Sequence, residues 1–235
     1  MRFFPILALV ALVGCSDRSV PGVDPRITDA SRPLVFLTEP TDTPCSYVDP
    51  SGTLVGTDID FARRIAAKMG RTLVVEGVLF TDILPRLKAG TADFSISSIT
   101  ITEARQRDVD FSEPYETSGS CFLYRKGRPK PRMSQVASFR VGVEIDTVQD
   151  IYLCRHGCDP MRFARLADAV AALEGEEIDA VFFDAPSLKE LAEKSEGRLA
   201  VTSLVTREGY GVAVDKRRPD VLAAANAVIA ERGTK

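Results

Sequence analysis

The sequence has no tryptophan, one histidine (His156) and only 7% aromatic residues. Proteins that stack nucleic-acid bases on aromatic platforms need more of them. A cationic excess is missing as well, since 30 basic residues face 33 acidic ones and the net charge is −3. Phosphate backbones are held by such an excess, so both absences argue against a nucleic-acid partner. With a single histidine, a zinc site would have to use Cys154, His156 and Cys158 of "CRHGC", a cramped spacing without a second imidazole. No metal and no cofactor is expected. Nor is any apolar run long enough to cross a bilayer: Phe3–Val13 falls short of the roughly 20 residues a spanning helix needs.

That short run has a different use. "MRFFPILALVALVGC" reads as a secretory signal, with one arginine ahead of an apolar stretch. Its end, Leu12-Val13-Gly14-Cys15, resembles the lipobox of bacterial lipoproteins, which implies cleavage after residue 14 and lipidation of Cys15. Acyl chains on that cysteine would anchor the domain to a membrane surface. Residues 15–32, polar and containing Pro and Gly, read as a flexible tether. Export makes the other cysteines candidates for disulfides. Cys154 and Cys158 could close a small ring, which a chain-entropy estimate values at about 2 kcal/mol. Cys45 and Cys121 are the leftover pair.

From residue 33 the chain alternates strands and helices. "PLVFLT" (33–38), "RTLVVEGVL" (71–79) and "ADFSISSI" (92–99) read as strands. Between them, "DIDFARRIAAKMG" (58–70) and "TDILPRLKAG" (81–90) are amphipathic helices that stop at glycines. After the strand "SGSCFLYRK" (118–126) the pattern restarts. "FRVGVEI" (139–145), "IDAVFFD" (178–184) and "YGVAV" (210–214) are strands, with helices from near Thr147, within 163–177, over 187–195 and over 218–233. Two runs of βαβαβ imply two α/β lobes with mostly parallel sheets. Ligands of such sheets sit beyond the carboxyl ends of strands, where Ser97–Thr102 and Asp184 fall.

One residue is out of place by simple electrostatics. Thr102 reads as a helix N-cap, which puts Arg105 in the first turn. A cation there opposes the helix dipole by roughly 0.3–1 kcal/mol. Either Arg105 points into solvent, or an anion sits there against its guanidinium fork and the orphan N–H groups. Asp184, for its part, could be a site carboxylate or a plain N-cap, and Phe80 a ligand shelf or plain core.

The segments "GTLVGTDIDFARRIA", "LFTDILPRLKAGTADFSISSITITEARQRDVDFSEPY", "IDAVFFD" and "YGVAVDK" resemble those of the amino-acid-type (family 3) extracellular solute-binding proteins of ABC importers. The resemblance implies a type II periplasmic-binding-protein-like fold. Its two α/β lobes, residues 33–119 plus 210–235 and residues 120–209, would be joined by two hinge strands and close on one amino acid. It gives Arg105 the ligand α-carboxylate and Asp184 the α-ammonium. Backbone and hydroxyls around Ser98 and Thr100 would bind the ammonium and assist the carboxylate. Thr147 would complete the carboxylate site, and Phe80 would be an apolar shelf. Glu39 matches a place where relatives that bind basic amino acids carry an acid, and Asp42 could share that end of the pocket.

Four positions depart from the family pattern. Asp146 and Val148 stand beside Thr147 where a glycine and a second hydroxyl are usual. Asp42 and Cys45 stand near the place of an aromatic clamp. The resemblance implies a monomeric, lipid-anchored binding protein in the bacterial cell envelope, working with an ABC permease and carrying no catalytic residues. Two other readings fit the same fold: a receptor-like module presenting ligand to another membrane protein, and a dehydratase-like enzyme on a small carboxylic acid.

Overall fold

The computed structural model describes Arg26 and residues 29–232; the signal, Cys15 and most of the tether lie outside the described residues. The first strands among the described residues are β1 (Leu34–Thr38) and those of a small antiparallel sheet, β2 (Thr41–Asp42), β3 (Ser46–Val48) and β4 (Leu54–Val55). Then come α1 (Thr57–Lys68), β5 (Leu73–Gly77), α2 (Phe80–Ala89), β6 (Phe94–Ser95), the single-turn α3 (Glu103–Gln106) and β7 (Asp110–Phe111). Strands β8 (Glu116–Ser118) and β9 (Ser120–Arg125) carry the chain into a second sheet. A 3₁₀ turn (Met133–Ser138) follows, with β10 (Val141–Glu144), α4 (Val148–Arg155), β11 (Met161–Phe163), α5 (Leu166–Glu174), β12 (Ala180–Asp184), α6 (Ala185–Lys194) and β13 (Leu199–Val201). Strand β14 (Glu208–Tyr210) returns to the first sheet, which β15 (Ala213–Val214) and α7 (Pro219–Arg232) complete.

Each sheet has five strands, in the orders β5-β1-β6-β15-β7 and β11-β10-β12-β9-β13. In each, four strands run one way and a single strand, β15 or β9, runs against its two neighbours. Those two reversed strands adjoin β14 and β8, which pair antiparallel with each other, Ser118 opposite Glu208 and Glu116 opposite Tyr210. The chain therefore crosses between the sheets through one two-stranded ribbon.

The amphipathic patterns read from sequence account for the layers. Ile59, Phe61, Ile65 and Ala66 of α1 lie buried with Leu34, Phe36 and Phe94 of the first sheet and with Val221, Ala225 and Val228 of α7. Ile83 and Leu87 of α2 cover the sheet's other face. Helix α1 stops where Gly70 takes φ +64. Helix α2 stops where Gly90 takes φ +77 and Thr91 N–H reaches back to the Arg86 carbonyl (3.1 Å), an arrangement that satisfies the last carbonyls. The second sheet is packed separately, by α5 and α6 on one face and by α4 and the 3₁₀ turn on the other. Each sheet thus has its own core.

Three expectations are corrected. The strand read over 92–99 is only Phe94–Ser95, because Ser98 at φ +48 turns the chain off the sheet. "YGVAV" is divided between β14 and β15, one in the ribbon and one in the sheet. Finally, Cys121, Cys154 and Cys158 are thiols, so neither the Cys154–Cys158 ring nor a Cys45–Cys121 bridge is formed. Gly157 (φ +76) sends Cys158 into the core beside Phe122 and Phe182, whereas Cys154 stays exposed and accepts a hydrogen bond from Arg162 (3.1 Å).

The end of the expected tether is docked. Arg26 bonds Asp215 (2.5 Å), Asp93 and the carbonyls of Gly90 and Ala92, and Arg71 holds the carbonyls of Arg26, Asp29 and Arg32. Asp93 is also paired with the fully buried Arg218.

Candidate functional site

The loop that leaves β6 carries Ser97, Ser98 and Thr100 to the edge of the gap between the sheets. Thr102 caps α3 as expected, its Oγ1 accepting from the Arg105 N–H (3.2 Å). That fixes the direction in which the Arg105 side chain leaves. With only one turn, α3 has little dipole to oppose it. The guanidinium donates to the Thr100 carbonyl (3.0 Å) and faces the Asp146 carbonyl across the gap (3.5 Å). It also lies over the Phe80 ring, 5.3 Å from the centroid. Burial pulls its pKa down, and the nearby charges of Asp184 and Glu208 pull it back up. Arg105 does not point freely into solvent.

Opposite stands Asp184, buried at the end of β12. It occupies the N-cap position of α6, yet its side chain makes no capping bond there. Instead its Oδ1 accepts from Gln149 Nε2 (2.7 Å) and from the Tyr210 hydroxyl (2.8 Å). This disposes of the plain N-cap alternative. Burial, together with that bond and the charge of Asp184, pushes the Tyr210 phenol far up, so it remains a donor.

Thr147 caps α4. Its Oγ1 accepts from the Asp150 N–H (3.3 Å) and donates to the Glu144 carbonyl (2.7 Å). The hydroxyl proton is already placed, which leaves backbone N–H groups as the donors this end can offer an anion. Glu144 is itself tied to the start of α5, accepting from the Leu166 N–H (2.9 Å). Phe80 combines its two expected roles, packing its inner side on the core under α2 and presenting its ring to Arg105.

A narrow cavity between the sheets is lined by Arg105, Asp184, Ser98, Thr100, Thr147, Phe80 and Glu39. These are seven of the eight residues named from sequence; the side chain of the eighth, Asp42, lies outside the described residues. Ser97, within the strand-end stretch singled out from sequence, and Val148 also line it, as do Thr41, Glu144, Gln149, Leu166 and Phe183, which were not foreseen. Gln149 could have been suspected from its place two residues after Thr147. Tyr210 and Glu208 alternate on one face of β14, but their meeting with Asp184 and Thr100 is tertiary.

Asp146 clarifies one departure. It takes φ +63, the left-handed conformation for which the family's glycine is suited. Aspartate is among the few other residues that visit it, so the turn into α4 keeps its shape.

A cavity between two α/β halves, with a guanidinium on one wall and a carboxylate on the other, defines a two-lobe protein that closes on a small polar ligand. The fold is that of type II periplasmic binding proteins. More particularly, the chain belongs to the bacterial extracellular solute-binding proteins, family 3, whose model matches residues 34–234. An L-cystine-binding protein of Escherichia coli K12 is 28% identical over 233 residues, covering 96% of this chain and 87% of that protein. An arginine-binding periplasmic protein of Mannheimia haemolytica is 27% identical over 186 residues, 78% of this chain and 76% of that one. The arginine-bound form of a truncated arginine-binding protein from T. maritima superposes with a TM-score of 0.81 at 31% identity, covering 85% of this chain and 95% of that one.

Proposed function

We propose that the chain is the substrate-binding component of an ABC importer and takes a polar amino acid, by charge a basic one, between its lobes. The observation that carries this is the charge of one cavity. Among the described residues a single guanidinium, Arg105, and three carboxylates, Glu39, Glu144 and Asp184, line it. A zwitterion whose α-carboxylate meets Arg105 and whose α-ammonium meets Asp184 leaves Glu39 for the side chain. A cationic side chain suits an end of the cavity lined by acids. Ser98 and Thr100 flank the ammonium, the first turn of α4 at Thr147 the carboxylate, and Phe80 the aliphatic part. Relatives named for arginine and for cystine support an amino-acid ligand.

Closure is a hinge motion at the β8/β14 ribbon, with residues 33–119 and 210–235 as one lobe and 120–209 as the other. Residues 1–14 act as the export signal and Cys15 as the lipid anchor in the cell envelope, from which the closed form docks on a permease. The protein is a carrier, and no residue is assigned a catalytic step.

A thermal-shift panel of amino acids on the domain, after unfolding and refolding to strip carried ligand, tests this. Ligand at a hundred times its dissociation constant adds about 2.7 kcal/mol, roughly 5–10 °C for a domain of this size. The expected result is such a shift with arginine, lysine or ornithine, lost in Arg105→Ala. Shifts with neutral amino acids alone would remove the charge argument, and no shift with any would sink the reading.

A further inference from the structure

Glu208 lies on the crossing ribbon, in a neighbouring cleft that shares Thr100, Arg105 and Gln149 with the cavity, and takes part in no ligand contact assigned above. Its Oε2 accepts from the Thr100 hydroxyl (2.7 Å), and its Oε1 from the hydroxyls of Ser120 (2.7 Å) and Thr206 (2.5 Å). Two of these hydroxyls are themselves accepting N–H donors: Ser120 Oγ from Gln149 (2.9 Å) and Thr206 Oγ1 from the Ser120 main chain (2.8 Å). Their own protons are therefore directed at Glu208, as an ionised carboxylate requires, being an acceptor only.

We infer that Glu208 is a positioning residue that sets which cavity groups donate and which accept, and so makes the site select for an α-ammonium. The inference rests on the amino-acid reading above. The Thr100 hydroxyl has one proton, and Glu208 takes it, so Thr100 shows the cavity only lone pairs. Ser120 has spent its proton likewise and must accept from Gln149. Gln149 then directs its second N–H to Asp184 and cannot turn its oxygen there, where it would face a carboxylate. One half-buried charge thus aligns Thr100 on one lobe and Gln149 and Asp184 on the other. A ligand ammonium finds acceptors on both sides.

Glu208→Gln tests this with a defined change of polarity. The amide has one acceptor oxygen, and two hydroxyl protons, from Ser120 and Thr206, need it. Its NH₂ is therefore left facing Thr100, which becomes an acceptor toward residue 208 and a donor toward the cavity. Calorimetric affinities would be measured for L-arginine and for 5-guanidinopentanoic acid, the same molecule without its α-amino group. The expected result is that the preference for arginine falls at least about ten-fold, the size of one lost charge-assisted hydrogen bond. Thr100→Val should reproduce the fall, and the double variant should add little to either. Equal weakening of both ligands would overturn the inference, because a merely structural role does not distinguish them. If the wild-type protein bound no amino acid, the functional reading would fail by itself. Glu208 would then be judged on the ligand-free protein by the infrared difference between wild type and Glu208→Gln at neutral pH. An ionised-carboxylate band lost in the variant supports the assigned polarity; a protonated-carboxyl band overturns it.

Discussion

Arg105 shows how much one side chain settles when its backbone is capped. Thr102 fixes the turn, the turn aims the guanidinium, and Phe80 and the Thr100 carbonyl hold it in the gap. A lysine would keep the charge but lose the planar fork that stacks on the ring and pairs a carboxylate in two places. Arg105→Lys should accordingly weaken binding of L-arginine by about ten-fold or more, read by titration calorimetry. The thiols are equally local. Burial pushes the Cys121 thiol up to about 11 and raises Cys158, whereas Cys154 is exposed. Thiolate is the reactive form, so an aromatic disulfide reagent at pH 8 should find Cys121 and Cys158 only after unfolding in urea. Cys154→Ser should remove a fast-reacting thiol from the native protein.

At the scale of elements, α4 does two things with one cap. Thr147 closes its first turn and also points that turn's N–H groups into the cavity. Thr147→Ala should cost about 1 kcal/mol of stability, measured as a lower urea midpoint, and should weaken ligand binding as the first turn frays. Short strands are the elements hardest to read in advance. Ser98 ends β6 by its left-handed conformation, which a serine does not advertise as a glycine does. Helices α1 and α2, with their apolar stripes and terminal glycines, were legible because every signal on them is local.

The whole molecule is two separately packed sheets joined by one ribbon, and its first lobe is stitched by charge. Burial would raise the pKa of Asp215, but hydrogen bonds from Arg217 and Arg26 outweigh it and hold the carboxyl below its ordinary value. A depressed folded pKa stabilises above the unfolded value of about 3.9 and loses that contribution as pH falls through the lower folded value. Asp215→Asn should therefore be less stable than wild type at neutral pH, and the difference in urea midpoints should shrink below about pH 4. Arg26→Ala should release the N-terminal segment and open the bonds after Arg26 and Arg32 to trypsin, without unfolding the sheets. On ligand addition, small-angle scattering should show a reduced radius of gyration, because closure turns about the single ribbon rather than within either core.

The sequence by itself determined the two α/β halves, most helices and their ends, and it named seven of the residues that line the cavity. Each rests on local period, caps and turn residues, or on a motif whose order survives in the chain. Only the tertiary structure decided that Cys154 and Cys158 point apart, that Asp184 bonds Tyr210 and Gln149 rather than capping α6, and that Glu208 gathers hydroxyls from both lobes. Those contacts join residues up to 108 positions apart. Their partners are chosen by how two sheets face each other across a ribbon, and no local pattern encodes that.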